Sequence, residues 1–188
     1  MRPVPDNALG QHPHADPPSA YRQSLVHLQL PAALPQAVSA AFAQAADACQ
    51  EAGALLYGVR GSQAGAPDVT HALVIPAQSG HRAHYRVPRD SIAAASAATR
   101  ASGWVTLGQV HSHPGADVEH SWYDDRHAIS VRAVSFVLPD YGRDPGDWPA
   151  RIGVHEYQDG WWHLLTTEQP AMRTSFADVP LQVIDLRG

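Results

Sequence analysis

The stretch Gly108-Gln-Val-His-Ser-His-Pro-Gly-Ala-Asp-Val-Glu-His-Ser-Trp-Tyr-Asp124 decides both the fold and the chemistry expected of this chain. Residues 104–110 lead into it with apolar and β-branched side chains, which predicts a buried strand. His111 and His113 leave the end of that strand two residues apart, so both imidazoles point to the same face. A proline and a glycine then stop the strand. The sequence therefore predicts two histidines that reach one point at a strand end.

Ser121 and Asp124 extend this pattern into the next element. Ser121 lies where a helix N-cap is expected, so Asp124 would take the third helical position and face back to the strand end. Two neutral imidazoles and one carboxylate leave a fourth tetrahedral position open, which is the composition of a catalytic rather than a structural zinc site. We therefore predict one Zn²⁺ per chain, held by His111, His113 and Asp124.

Other residues of ligand type lie close to these three in the sequence. Glu119, His120 and Asp125 are predicted not to bind the metal, and Asp125 is turned by about 100° around the helix from Asp124. His127 follows Asp124 by three residues and could contact a metal ligand, but a surface position is favoured. A His-x-His pair arises by chance in a chain with 12 histidines. The longer pattern is much more specific.

The spacing resembles the JAMM motif of the MPN (JAB/Mov34) metallopeptidases. That motif consists of a distant glutamate, then His-Ser/Thr-His, seven residues, a serine, two residues and an aspartate, and residues 114–120 supply the seven. The family's glutamate lies shortly before a Gly-hydrophobic-hydrophobic-x-Gly strand, and Gln50-Glu51-Ala-Gly-Ala-Leu-Leu-Tyr-Gly58 fits that pattern. The resemblance covers about residues 24–165.

This resemblance implies a role for each residue. Glu51 would take the proton of an activated water and pass it to the leaving amine. Ser121 would donate a hydrogen bond to the oxyanion, a role that is compatible with a helix N-cap. Members of the family commonly cleave after the C-terminal glycine of ubiquitin or a ubiquitin-like protein. The implied function is a zinc-dependent (iso)peptidase that deconjugates or matures such a protein in a bacterial conjugation pathway, with antiphage defence as one setting.

Two alternatives remain open at this stage. The chain could be a peptidase that processes a sulfur-carrier protein with a Gly-Gly terminus. It could also be a catalytically inert MPN scaffold, although such scaffolds have lost the ligands that this chain keeps.

The composition of the chain argues against several other classes of function. The 188 residues carry a net charge of −5 without a basic run, which argues against nucleic-acid binding. No apolar stretch reaches the roughly 20 residues of a membrane span and no signal peptide is evident, so a cytoplasmic protein is expected. A single cysteine, Cys49, is predicted to pack in the core rather than to take part in redox chemistry.

The remaining pattern predicts an extended or flexible arm over residues 1–23 and one metallopeptidase domain over residues 24–188. Its class is α/β, with a mixed, mostly antiparallel curved sheet of six to eight strands sandwiched by about three helices; the resemblance implies the MPN/JAB, cytidine-deaminase-like fold. Strands are predicted at residues 24–30, 54–59, 69–75, 84–87, 131–138, 151–157 and 160–165, helices at 36–52 and 90–102, a surface loop at 139–149, and a strand or a tail at 180–186.

Overall fold

A computed structural model describes residues 19–23, 27–63, 65–121, 124, 133–144 and 146–188. In chain order its elements are β1 Leu28–Pro31, α1 Leu34–Asp47, β2 Gly53–Val59, β3 Asp68–Ile75, β4 Ser79–His81, β5 His84–Arg86, α2 Arg89–Arg100, β6 Val105–Ser112, β7 Val134–Leu138, β8 Gly153–Gln158, β9 Trp161–Leu164, α3 Gln169–Arg173, β10 Thr174–Ala177 and β11 Gln182–Asp185. Among these residues, no helix has the length and apolar character needed to cross a membrane.

One mixed sheet organises the molecule. Its strand order is β10-β1-β3-β2-β6-β7-β8-β9, and β11 pairs with β3 on the side where β1 lies. The pairs β2–β3, β2–β6, β7–β8 and β8–β9 are antiparallel, whereas β6–β7, β1–β3, β1–β10 and β3–β11 are parallel. The predicted α/β class with a mixed sheet is confirmed. Parallel pairs are as numerous as antiparallel ones here because β1, β10 and β11 all run parallel to their neighbours.

The two faces of the sheet carry different layers, because successive strand residues point to opposite sides. Leu56 of β2, Phe136 of β7 and Val154 of β8 pack on the face covered by α1. Leu55 and its neighbours pack on the other face, where Ala95 of α2 is fully buried. The sheet is therefore sandwiched between helices, and a side chain's place in the alternation decides which layer it enters.

The turn after α1 corrects two predictions. The helix was expected to reach residue 52, but it ends at Asp47. The N–H groups of Cys49 and Gln50 donate to the carbonyls of Ala46 and Ala45, which closes the helix, and Cys49 adopts a left-handed φ of 54°. Cys49 is consequently exposed and does not pack in the core.

The segment after β7 is also more buried than predicted. A 3₁₀ helix spans Asp140–Gly142, and the aromatic side chains of Tyr141 and Trp148 are buried. Trp148 stacks on Phe136 with ring centroids 5.3 Å apart. The prediction of a surface loop was wrong at these positions because apolar aromatic side chains anchor a segment that is otherwise rich in proline, glycine and aspartate.

The C-terminal half combines confirmed and unpredicted elements. The hairpin β8–β9 is confirmed, and its turn residues Asp159 and Gly160 both have positive φ, as a two-residue type I′ turn requires. Trp161 is half-buried and Trp162 is buried, which confirms their opposite directions. The segment expected to be a strand or a tail is the strand β11. The short elements β4, β10 and α3 were not predicted.

A buried ion pair joins this half to the start of the described chain. Arg173 Nε lies 2.9 Å from Glu156 Oε2, and both side chains are 1% exposed. Tyr21 donates its hydroxyl hydrogen to the same carboxylate oxygen at 3.0 Å. Part of the predicted arm, residues 19–23, is therefore docked on β8; residues 1–18 lie outside the described part of the chain.

Arg173→Met is expected to lower the free energy of unfolding by about 3 kcal/mol or more, because it leaves the Glu156 carboxylate buried without its cation. Arg22→Met is the matched control. It removes an ion pair with Asp159 in which both side chains are exposed, so it should cost less than about 1 kcal/mol. Urea unfolding of the two variants measures the difference, and equal losses would contradict this interpretation.

Candidate metal centre

The antiparallel pairing of β2 with β6 positions the first candidate residues. Gly53 lies opposite His111, and Ala52 and Ser112 exchange hydrogen bonds just beyond the end of β2. Continuing this register by one residue sets Glu51 opposite His113. Because paired residues and residues two apart share a face, Glu51, His111 and His113 project to the same side of the sheet.

Asp124 reaches these histidines from the segment that joins β6 to the parallel strand β7. His111 Nε2 and His113 Nε2 lie 3.2 Å apart, His113 Nε2 lies 3.2 Å from Asp124 Oδ2, and His111 Nε2 lies 3.6 Å from Asp124 Oδ1. These are three buried side chains with ligand atoms all within 4.8 Å of one another. The structure thus places the three predicted ligands beside one another.

Ser121 holds the carboxylate of Asp124. The N–H of Ser121 donates to Asp124 Oδ2 at 2.8 Å, and the Ser121 hydroxyl donates to the same oxygen at 2.6 Å. In return, the N–H of Asp124 donates to Ser121 Oγ at 3.3 Å. Asp124 has helical backbone. The reciprocal bonds are those of a capping box and fix the direction in which the carboxylate points.

Glu119 and His120, the two described neighbours of ligand type that were predicted not to bind the metal, are not part of this group. Glu119 is exposed. His120 is buried, but its Nε2 lies 2.9 Å from Ser135 Oγ rather than against the three ligand atoms. Asp125 and His127 lie outside the described residues.

Sequence reasoning missed a second layer of buried polar residues beside the site. His155 stacks on His120 with centroids 3.9 Å apart, and the His120 ring lies 5.5 Å from that of His111. Gln109 donates to Ser135 Oγ at 3.2 Å. The register pairs Gln109 with Ser135 and Ser135 with His155, so these three form one row across β6, β7 and β8. The only signal in the sequence was polar residues inside predicted buried strands.

A small hairpin, β4–β5, covers the Glu51 side of the site. The N–H of Glu51 donates to the His81 carbonyl at 2.8 Å. The ring of Tyr85 occupies the space beside Gly53, where a Cβ would lie 2.3 Å from Tyr85 Cε2, and it is 5.7 Å from the His111 ring. The absence of a side chain at Gly53 therefore lets an aromatic ring lie directly beside a candidate ligand.

Burial and charge perturb the acids and bases of the site. Burial raises the pKa of Glu51 to about 8, and the nearby Asp124 carboxylate acts in the same direction, whereas His113 opposes it. Burial alone would raise the pKa of Asp124, but the charges and hydrogen bonds of the two histidines hold it well below its usual range. Burial alone would likewise lower the pKa of His113, but Asp124 raises it above its ordinary value. Glu51 is thus a proton-holding group beside an ionised carboxylate.

Comparison with known proteins agrees with this arrangement. The family model for prokaryotic homologs of the JAB domain matches residues 35–169. A Desulfitobacterium hafniense protein with a known solution structure is similar with a TM-score of 0.58 and 18% identity, over 81% of this chain and 94% of that one. No curated protein matches. The chain belongs to the family of prokaryotic JAB domain homologues, as its sequence motif predicted.

The geometry of the three ligands fits the metal that JAMM sites hold. Bonds of about 2.0–2.1 Å in a tetrahedral zinc site separate neighbouring ligand atoms by roughly 3.3–3.4 Å. The three separations here, 3.2, 3.2 and 3.6 Å, bracket that value. Two imidazole nitrogens and one carboxylate also match the donor types of a zinc site with an open position. The His-His-Asp triad is therefore suited to hold one ion.

The metal-free protein is expected to lose stability as the pH rises from about 5 to about 8. Unfolded Glu51 releases its proton near its ordinary pKa of 4.5, whereas the folded protein keeps that proton up to about 8. Stability that is present below the lower value is therefore lost as the pH rises through this window. Glu51→Gln should remove this contribution, because an amide does not ionise. Chemical denaturation of both chelator-treated proteins across the window measures the difference.

Other titratable groups are present in both proteins and largely cancel in the comparison; the exception is His113, whose raised pKa owes part of its shift to the charge of Glu51. The pKa of His155 is lowered to about 4, mainly by burial, so its own effect runs in the opposite direction and is also shared. A constant difference between the unfolding free energies of the two proteins across this range would show that folded Glu51 does not retain its proton.

Proposed function

We propose that the protein is a zinc-dependent peptidase that cleaves after the C-terminal glycine of a ubiquitin-like protein. The observation that carries the proposal is the close approach of three ligand atoms at tetrahedral spacing beside a buried glutamate whose pKa is raised to about 8. In the metal-free protein Glu51 therefore keeps its proton at neutral pH. A cation held by the triad would favour the ionised carboxylate and lower this pKa toward the neutral range in which a general base works.

His111, His113 and Asp124 would hold the ion in this proposal. A zinc ion bound there supplies Lewis acidity, which lowers the pKa of water and polarises a carbonyl. Glu51 then accepts the proton of the attacking water and donates it to the departing amine. The register of Gly53 with His111, continued by two residues, sets Glu51 on the same face as the two histidines. Its burial limits the access of bulk water to the proton that it carries.

Ser121 is the proposed oxyanion donor, and the structure adds a condition to that role. Its hydroxyl hydrogen is directed at Asp124 Oδ2, so it must rotate away to reach a substrate oxygen. The N–H of Ser121 keeps its own bond to Asp124 during such a rotation, which leaves the ligand carboxylate oriented. Ser121 would thus serve both the cap and the oxyanion.

The restricted access to the site supports a substrate with a thin, extended tail. Exposed fractions are 5% for Glu51, 0% for His111, 6% for His113 and 7% for Asp124. A glycine tail lets the backbone approach such a site because it carries no Cβ. Deconjugation and precursor maturation are both compatible with this geometry, and a sulfur-carrier protein that ends in Gly-Gly is the second candidate substrate.

The purified protein is expected to bind about one zinc ion per chain, because the triad can complete only one tetrahedral site with a water molecule. His113→Ala and Asp124→Ala should lose the metal. His71→Ala is the control, since this histidine stacks on Trp104 and is not part of the triad. Elemental analysis after zinc loading and desalting provides the measurement. A wild-type protein without zinc would favour the inert scaffold.

Glu51→Gln is expected to retain zinc and fold but to lose cleavage by at least about 10²-fold, the usual contribution of a positioned general base. The exposed Glu119→Gln is the matched carboxylate control and should leave activity unchanged. A ubiquitin-like protein fused through Gly-Gly to a reporter serves as substrate, and intact mass gives the cleavage site. Loss of zinc from Glu51→Gln would instead make Glu51 a ligand.

The same cleavage assay tests whether the substrate needs glycine in its C-terminal tail. Replacing the penultimate glycine of the fusion with valine should abolish cleavage, because a β-branched side chain cannot enter where backbone must approach closely. Equal cleavage of the valine fusion, or cleavage away from the terminal glycine, would leave a peptidase without the proposed specificity.

A further inference from the structure

The segment between His113 and Ser121 has no strand or helix of its own, yet it must deliver Asp124 to within 3.2 Å of His113. Backbone without a hydrogen-bonded ladder takes its position from outside contacts. The hydrogen bonds that Ser121 makes to Asp124 are local and orient the carboxylate within this segment. They do not fix the segment relative to the strand that carries the histidines.

One outside contact comes from β8. His155 Nε2 lies 2.9 Å from the carbonyl oxygen of Val118. A carbonyl can only accept, so His155 Nε2 carries the hydrogen and donates it. Gly153 makes room for this approach, because a Cβ there would lie 2.1 Å from the same carbonyl oxygen. The middle of the segment is thereby fixed to the face of β8.

A second contact comes from His120, which lies within the segment itself. Its Nε2 is 2.9 Å from Ser135 Oγ on β7, and its ring stacks on His155 at 3.9 Å with an interplanar angle of 14°. Both histidines are buried. The His120 ring also lies 5.5 Å from the ring of His111, measured between centroids. One of the two histidines that fix the segment, His120, therefore also lies beside a candidate ligand.

We infer that His120 and His155 are positioning residues that together set the separation between Asp124 and the two strand ligands. The inference rests on the proposed metal site and extends it to two histidines that bind no metal themselves. Outer residues of this kind commonly change metal affinity when they are replaced, although they touch only the ligands or their backbone.

His155→Leu tests the inference because it keeps an apolar side chain but removes the donor to Val118. We expect it to weaken zinc binding about 10- to 100-fold and to alter the visible spectrum of the cobalt-substituted protein. His155→Gln retains an N–H donor and should restore most of the affinity. His163→Leu is the matched control: His163 is a buried histidine on the adjacent strand β9, paired with Glu156 on the opposite face of the sheet.

A readout that needs no metal separates this inference from the proposed function. In chelator-treated protein, His155→Leu should speed amide hydrogen exchange at Ser121, whose N–H donates to Asp124, and leave Val110 in β6 unchanged. If the wild-type protein binds no zinc, the proposed function fails, and the exchange rate at Ser121 still decides the inference.

The inference is overturned if His155→Leu and His163→Leu lower the melting temperature alike while zinc affinity, cobalt spectrum and exchange at Ser121 match the wild type. Such a result would make His155 an ordinary core residue. Failure of His155→Gln to restore affinity, with the fold intact, would also overturn it, because the hydrogen bond to Val118 would then not be the contact that matters.

Discussion

The register of β2 against β6 is the constraint on which the rest of this site depends. Because Gly53 is paired with His111, Glu51 and His113 come to lie opposite each other at the ends of two neighbouring strands. A shift of one residue would turn Glu51 to the opposite face of the sheet, into the layer that α1 covers. The acid and the imidazoles thus share a site through backbone hydrogen bonding rather than through contacts between their own side chains.

A second constraint is the parallel pairing of β6 with β7. Parallel neighbours cannot be joined by a tight turn, so the chain must leave the sheet after His113 and return to start β7 at Val134. Ser121 and Asp124 belong to this connecting segment and lie near the carboxyl end of β6. This is the end at which α/β sheets commonly bind ligands. The position of Asp124 beside the two histidines is therefore a product of topology, and it depends on how firmly this connecting segment is held against β7 and β8.

Contacts between residues that are close in the sequence could be predicted, whereas contacts between residues far apart in the sequence could not. His111, His113 and Asp124 lie within 14 residues, so strand exit, helix cap and spacing sufficed to group them. The contact between His155 and Val118 spans 37 residues. It depends on the strand order, which the sequence does not reveal, and on Gly153, whose importance is evident only when the Val118 carbonyl is seen to lie against it.

Short elements and turns account for the remaining differences. The strands β4 and β10 have three and four residues, too few for an alternation to show. The end of α1 at Asp47 depends on hydrogen bonds that require Cys49 to adopt a left-handed conformation. A residue other than glycine at this position does not indicate such a conformation in the sequence. Tyr141 and Trp148 are buried in a segment whose composition indicates a loop, because tertiary packing outweighs local preference.

The absence of a side chain at Gly53 links two stretches of the chain that are far apart in sequence. Any larger residue there would meet the ring of Tyr85 and push the β4–β5 hairpin away from His111. Positions 53 and 85 are thus coupled, because a side chain at position 53 would occupy the space that the ring of Tyr85 fills. Among homologous chains, a side chain at the first position should coincide with a smaller residue at the second, so the pair should leave a trace of joint substitution through evolution.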